Sequence, residues 1–320
     1  MGLENPQRIS VIDPISPAIE HVRLMLFKPF DLSKWLIIGF CAWLAQLGRG
    51  GGGGGGGNGW KEYGHGGPVM ETIKDGILAH LAVIIFVAAI VIPIVIIIAV
   101  VLCWLRSRGQ FMFVHCVAGN KAEVVVPWNK FARHGNSLFL FRLVLGFIGF
   151  LVIGIPIAAS VFAGFVMCAT GFNPAAIIGL TGAIFVVVVV AVLLGLIAKF
   201  TTDFVVPIMF LHTESSVAGW KQCLALISGN KAQIALYILF QIVICMVIAF
   251  IVLAIYLLGF CCCCLSCCIS LLLIVPIFNL IVLYPIVLIL LPLIAFKRAY
   301  SLFYLRQFGT QFDVFSAQPA

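Results

Sequence analysis

Six apolar runs, separated by short polar stretches, set the pattern of this chain. They are Leu32–Gly48, Ile77–Leu105, Ser137–Cys168, Ile177 to about Phe200, Ala232–Phe260 and Ile269–Phe296. A helix needs about 20 apolar residues to cross the hydrocarbon core of a bilayer. Five runs meet that length, and the first is short but carries Trp35, Ile37, Phe40, Trp43 and Leu44. Stretches such as Ile84–Val101 are continuously apolar. Membrane barrels alternate with a period of two over about ten residues, so the abundance of Val and Ile does not indicate strands. The pattern predicts an all-α polytopic transmembrane helical bundle of six spans with short cytoplasmic interfacial helices. Spans two and four run on into half-apolar flanks, Arg108–Phe113 and Asp203–Phe210. Counted through its flank, Ile177–Phe210 would be about 51 Å long against a core of about 30 Å, so these helices should protrude or tilt.

The polar stretches predict smaller elements. Ser16-Pro17 reads as a helix start, with Ser as N-cap and Pro at the first helical position. Ile15, Ala18, Ile19, Val22 and Leu26 then share one face. We read residues 16–28 as an amphipathic helix on the cytoplasmic membrane surface, the alternative being an extension packed against other loops. Two further stretches, Pro127–Asn136 and Gly219–Asn230, each open near a Trp and close at Gly-Asn. Both read as short surface helices ending in a left-handed glycine, with Trp128 and Trp220 as interfacial anchors. They suggest a duplicated span–surface helix–span unit, or a recurrence of common interfacial chemistry. Trp35 is a third expected anchor. Gly48–Gly67 contains 13 glycines in 20 residues and reads as a flexible loop. No strand precedes it and no Lys-Ser/Thr follows it, so a nucleotide-binding reading fails.

Composition supports this reading. Of 320 residues 63% are apolar and only 9% charged, against roughly a quarter charged in a soluble domain. A water-soluble globule, a disordered chain and a secreted disulfide scaffold are excluded. The net charge of +8 is a topology signal. Lys and Arg cluster before Lys34, in Arg106–Arg133, in Lys199–Lys231 and after Lys297, whereas Arg49, Lys61 and Lys74 alone lie on the other side. The positive-inside rule then places both termini in the cytoplasm of an inner (plasma) membrane protein. The expected organisation is a cytoplasmic segment 1–31 with its interfacial helix, a transmembrane domain 32–296 with an extracytoplasmic Gly-rich loop 48–67, and a cytoplasmic tail 297–320. No signal peptide is expected, because residues 1–31 mix acidic and basic residues without an early apolar core. Expected partners are the bilayer, anionic head groups on the cytoplasmic side, and membrane proteins or further copies of the chain; no nucleic acid is expected.

Polar residues inside apolar spans are costly and so informative. Lys199 and Asp203 are four apart and can pair on one helix face. Pro207 lacks the N–H that would bond the Asp203 carbonyl. Arg142 lies in span three and can join a network with Asp203; the plainer alternative has all three charges fixing helix depth at the cytoplasmic interface. Gln241 and Asn279 lie deeper and serve by default as hydrogen-bonding glue between helices. Prolines 93, 156, 276, 285 and 292 predict kinks. Six of the twelve cysteines fall within Cys261–Cys268. Cys264 and Cys267 form a CxxC that offers thiolates to a soft metal such as Cu(I), yet no second pair accompanies it at zinc spacing. The preferred reading is a tight apolar hairpin. No GxSxG, HExxH or Walker lysine is present, and neither a catalytic residue nor a cofactor is expected.

Leu26-Phe27-Lys28-Pro29-Phe30 leading into Trp35, the Trp-containing surface helices and Asp203-Phe204-Val205-Val206-Pro207 together resemble uncharacterised prokaryotic six-span membrane proteins. That group is distantly similar to the membrane domain attached to some glycerophosphodiester phosphodiesterases. The likeness covers most of residues 16–308 and implies an all-helical membrane module without the hydrolase barrel, so no functional residue carries over. The expected function is a non-enzymatic membrane module that organises or regulates protein or lipid partners. The alternatives are a transporter or channel for a small solute or lipid and, behind it, a lipid-acting membrane enzyme.

Overall fold

A computed structural model describes residues 9–47, 69–170, 174–212, 215–262 and 284–316. Among these the chain is all-α. The helices are α1 (Ile15–Phe27), α2 (Leu32–Gln46), α3 (Val69–Gly119), α4 (Val125–Lys130), α5 (Ala132–Thr170) and α6 (Pro174–Phe200). A π-turn, Thr201–Val205, joins α6 to α7 (Val206–His212). Then come α8 (Ser216–Gly229), α9 (Lys231–Cys262), a short helical stretch at 284–289, and α10 (Leu291–Arg306).

Four of these stretches are long and apolar enough to cross a membrane: Ile85–Gly119, Ala132–Val161, Ile177–His212 and Lys231–Ala254. Their most apolar windows are at most 17% buried within the protein. Ile97 on α3, Phe150 on α5, Phe185 on α6 and Phe250 on α9 all project outward. Exposed apolar surface on this scale is stable only against lipid. These are the shafts of a membrane protein.

The core lies elsewhere. Phe111, Met112 and Val114 on α3, Leu138 on α5, Phe204 in the π-turn, Ile208 and Met209 on α7, Cys223 on α8, Tyr237 on α9 and Tyr300 on α10 are fully or almost fully buried. They form a packed base at one end of the shafts. As the flanks predicted, α3 continues beyond Leu105 to a length of 51 residues, and its last turns are core. Asn120, at φ 51°, takes the left-handed position that closes α3, and its side chain accepts from Lys34 Nζ at 2.8 Å.

The short first run forms the 15-residue α2, capped by Asp31, whose carboxylate accepts from the Ser33 N–H. It lies along the base half of α3, and close approach explains its small residues. A Cβ on Gly109 would sit 2.6 Å from Leu44 Cβ and 2.7 Å from the Leu44 carbonyl carbon, so glycine alone fits between the two helices.

Several local expectations change. The first helix opens at Ile15 with Pro14 in the cap position, and no side-chain cap forms. Its Ala18, Val22, Met25 and Leu26 are buried, and it packs on α10. His21 Nε2 lies 2.6 Å from the Val117 carbonyl, with Phe303 and Phe315 around its ring. The packed arrangement therefore takes most of the apolar face, leaving Ile19, Leu24 and Phe27 outside. Within the expected tail 297–320, Arg298–Leu302, Tyr304 and Leu305 are buried in the base.

The two Trp-containing stretches differ in structure. In the second, α8 ends at Gly229 as expected, although the backbone is not left-handed there: Asn230, at φ −136°, caps it. In the first, α4 is only six residues long and ends at Lys130, with Phe131 as its cap, while Gly135-Asn136 falls inside α5. Gly135 is needed for approach, since a Cβ there would meet Arg108 Cγ at 2.8 Å.

Two outcomes check this packing by thermal unfolding and thiol labelling in detergent. Gly109→Val should destabilise the base by about 1–3 kcal/mol through overpacking, whereas Gly146→Ala, which meets nothing within 4 Å, should not destabilise it. Cys223 is fully buried on α8, and burial pushes its thiol up to about 12. A maleimide at pH 7.5 should modify it only after unfolding.

Candidate functional site

Lys199 and Asp203 stand one helical turn apart and do pair: Lys199 Nζ is 2.5 Å from Asp203 Oδ2. Opposite them on α9, Tyr237 and Gln241 are also one turn apart. The Tyr237 hydroxyl donates to the same Asp203 oxygen at 3.1 Å, and Gln241 Nε2 donates to that hydroxyl at 3.1 Å. Lys199 Nζ closes the circuit by donating to Gln241 Oε1 at 3.1 Å. The four side chains form a ring of hydrogen bonds that joins the α6 shaft to α9. Asp203 is 5% exposed, Gln241 2% and Tyr237 1%. Gln241 thus hydrogen-bonds to Lys199 on α6 and to Tyr237 within its own helix.

The π-turn sets the geometry around Asp203. Val206 N–H donates to the Thr201 carbonyl, five residues back. In that register the Thr202 carbonyl would accept from residue 207, which is proline and has no N–H. The register shift therefore moves the orphaned carbonyl from Asp203, where α-helical spacing put it, to Thr202. Arg298 Nη1 on α10 donates to the Thr202 oxygen. A buried carbonyl left unpaired is costly, so this contact explains why a guanidinium only 6% exposed is held here.

Arg142 hydrogen-bonds to side chains of α3. Its Nη2 donates to Gln110 Oε1 at 2.8 Å and its Nη1 to Ser107 Oγ at 3.3 Å, both on α3. Gln110 lines the same cavity as Asp203. That cavity, about 200 Å³, lies between α2, α3, the π-turn and α10. Its polar walls are Gln46, Gln110, Lys199, Asp203, Lys297 and Arg298. Behind the ring, Tyr300 and Tyr304 stack on Tyr237 and donate to the carbonyls of Val11 and Gln233. Burial pushes the Tyr304 phenol up to about 12, which keeps it a neutral donor.

The three tryptophans make contacts within the protein. Trp35 Nε1 donates to the Leu288 carbonyl at 3.3 Å. The Arg108 guanidinium lies over both Trp128 and Trp104, at 4.9 and 4.6 Å from their ring centroids, and the two rings meet edge to face. Trp220 lies against Phe141, with Val217 and Leu224 exposed beside it on α8. Cys264, Cys267 and Asn279 lie outside the described residues. Among the described residues no three His, Cys, Asp or Glu side chains are grouped to hold a metal ion. Sequence reasoning missed Tyr237, Gln46, Lys297 and Arg298. A second polar pair at i, i+4, Tyr237 with Gln241, was the available signal for the ring; Arg298 left none, because it answers a backbone vacancy.

Chemically the ring is a neutralised clamp. The carboxylate spends one oxygen on both an ammonium and a phenol, while the cavity beside it is rich in cationic donors. Lipid-exposed shafts over a packed base with a cationic cavity define an all-α membrane protein. By its sequence the chain belongs to the family of unknown function DUF7544, whose model matches residues 9–315. No curated protein and no solved structure matches it.

Removing one member of the buried pair should cost more than removing both. Lys199→Met strands a carboxylate and should lose about 3 kcal/mol of unfolding free energy. The double change Lys199→Met with Asp203→Leu should lose clearly less, as measured by denaturation in detergent. Tyr237→Phe should cost about 1–2 kcal/mol by the same measurement.

Proposed function

We propose that this protein is a non-enzymatic, multi-pass module of the inner (plasma) membrane whose base faces the cytoplasm and engages lipid or protein partners there. One observation carries the reading: the division between apolar shafts that bury at most 17% of their most apolar windows and a base that holds the packed core. Shafts that scarcely bury one another give lipid most of their surface, and the base is the part built to keep a shape. The base also carries Arg106 and Arg108 on α3, Lys121, Lys130 on α4 and Arg133 on α5, the basic stretch that the positive-inside rule assigns to the cytoplasm.

Six crossings fit this arrangement. Both ends of the described chain belong to the base, whereas α3 begins and α9 ends at the far ends of their shafts. The four long helices supply four crossings, and the remaining two rest on the apolar runs of the sequence. Transport is the weaker reading, because Gln241, its candidate polar group within the shafts, is engaged in the ring at the base end.

Topology reporters fused at residue 1, within the glycine run at residue 55, and at residue 320 test the arrangement. Both termini should report cytoplasmic and residue 55 extracytoplasmic. A cytoplasmic residue 55 would remove the crossing ahead of α3, and extracytoplasmic termini would overturn the orientation. Photo-crosslinkers on the exposed α8 face, at Val217 and Leu224, should capture lipid or a membrane protein; capture of neither in native membranes would remove the partner-engaging role.

A further inference from the structure

The cavity beside the ring has a donor surplus that the ring does not use. An ammonium carries three N–H donors. Lys199 directs two of its own to Asp203 and Gln241, leaving a third at the cavity wall. Among the described residues the Lys297 ammonium donates to the Cys245 sulfur at 3.3 Å, a weak acceptor. Gln46 Nε2 is buried with no hydrogen-bond partner among the described residues. Three cations and one carboxylate line the space, and that carboxylate already accepts from Lys199 and Tyr237. A cavity with this balance suits a small anion that offers several acceptor oxygens around one centre. Phosphate monoanions and phosphodiesters have that form, and both amines and amides bind them by charge-assisted hydrogen bonds.

The position of the cavity fits the same chemistry. Leu193 on α6 and Leu239 on α9 are exposed on the lipid-facing stretches of their shafts. On α6, which runs toward the base, Lys199 follows Leu193 by six residues, about 9 Å along the helix; on α9, which runs away from the base, Gln241 stands two residues beyond Leu239. On α6 the cavity therefore opens where lipid-exposed surface gives way to the packed base, the depth of phospholipid head groups. Lys297 reaches Cys245, itself exposed on the α9 shaft, so its ammonium stands on the lipid side of the opening.

We propose that this cavity binds an anionic phosphate group through Lys297, Lys199 and the Gln46 amide. Asp203 and Arg298 are positioning residues: Asp203 holds the Lys199 ammonium at the wall, and Arg298 fixes the π-turn that carries it. The phosphate comes from a phospholipid head group or from a soluble phosphate ester. The lipid source rests on the membrane-module reading above, whereas binding of soluble phosphate to solubilised protein does not depend on orientation.

The test uses the full chain, purified in a neutral maltoside detergent and stripped of lipid. One arm titrates short-chain phosphatidylglycerol against diacylglycerol of the same chain length. The other titrates sodium phosphate and glycerol 3-phosphate against sodium chloride at equal ionic strength. Native mass spectrometry and the unfolding temperature report binding. Saturation in the lipid arm alone identifies a head-group site, and saturation with the soluble probes identifies a soluble ester; both support the site provided the variants respond. Lys297→Gln should weaken binding roughly tenfold, since a hydrogen bond to a charged group is lost. Gln46→Leu should weaken it about threefold to tenfold, Lys297→Arg should retain it, and Lys221→Gln on the exposed side of α8 should leave it unchanged. The site is overturned if neither phosphate probe binds better than its control. It is equally overturned if Lys297→Gln and Gln46→Leu bind as the unaltered protein does. Either result with the topology reporters unchanged would sink this site and leave the membrane-module reading standing.

Discussion

A carboxylate buried in so apolar a protein must be neutralised where it lies, and the base is arranged around that requirement at Asp203. The ammonium that neutralises it comes from one turn earlier on the same helix, so the pair forms whenever the helix forms. The remaining valences draw in other elements. Tyr237 and Gln241 bring α9 against α6, and Tyr237 brings with it the stacked rings of Tyr300 and Tyr304 on α10. The π-turn that holds Asp203 also leaves the Thr202 carbonyl without a backbone donor, which fixes Arg298 and with it the opening of the α10 face. Polar groups specify this packing, in surroundings where apolar contact alone would permit many.

The shafts obey a different rule. Lipid tails are as apolar as leucine, so no hydrophobic gain drives shaft against shaft. Association has to come from close packing and hydrogen bonds; α5 and α6 pack along their shafts, where Gly149 faces Leu194, and the interhelical side-chain hydrogen bonds gather in the base. There the glycines at 109, 135 and 219 admit neighbouring helices at distances a Cβ would forbid or crowd. The aromatic residues fill what remains, from the stack of Phe111 on Phe131 and Phe131 on Phe210 to the tyrosines of α9 and α10.

The helices were legible in the sequence because continuous apolar runs of their length have few other solutions. Lys199 and Asp203 were legible because their spacing is local. What the sequence concealed was long-range or dependent on register. Pro207 announces a missing donor, but which carbonyl loses it depends on whether the turn before it winds as an α- or a π-helix. Arg298 lies 96 residues from the carbonyl it satisfies, and nothing in its neighbours marks it. Gly135-Asn136 looked like a helix end because those residues often are one; here glycine serves the approach of Arg108, and the helix runs on. The burial of residues 298–305 was hidden in the same way, since a tail and a packed amphipathic helix share much of their composition.

The outward faces of the shafts, from Val83 to Val101 and along α5, α6 and α9, have a consequence for how the chain tolerates change. In water, surface positions accept almost any polar side chain because the solvent makes no demand of shape. In lipid the same indifference holds with the sign reversed, and isoleucine, valine, leucine and phenylalanine become nearly interchangeable there. The molecule is thus written at two densities: long passages where only polarity is specified, and a base where single atoms are.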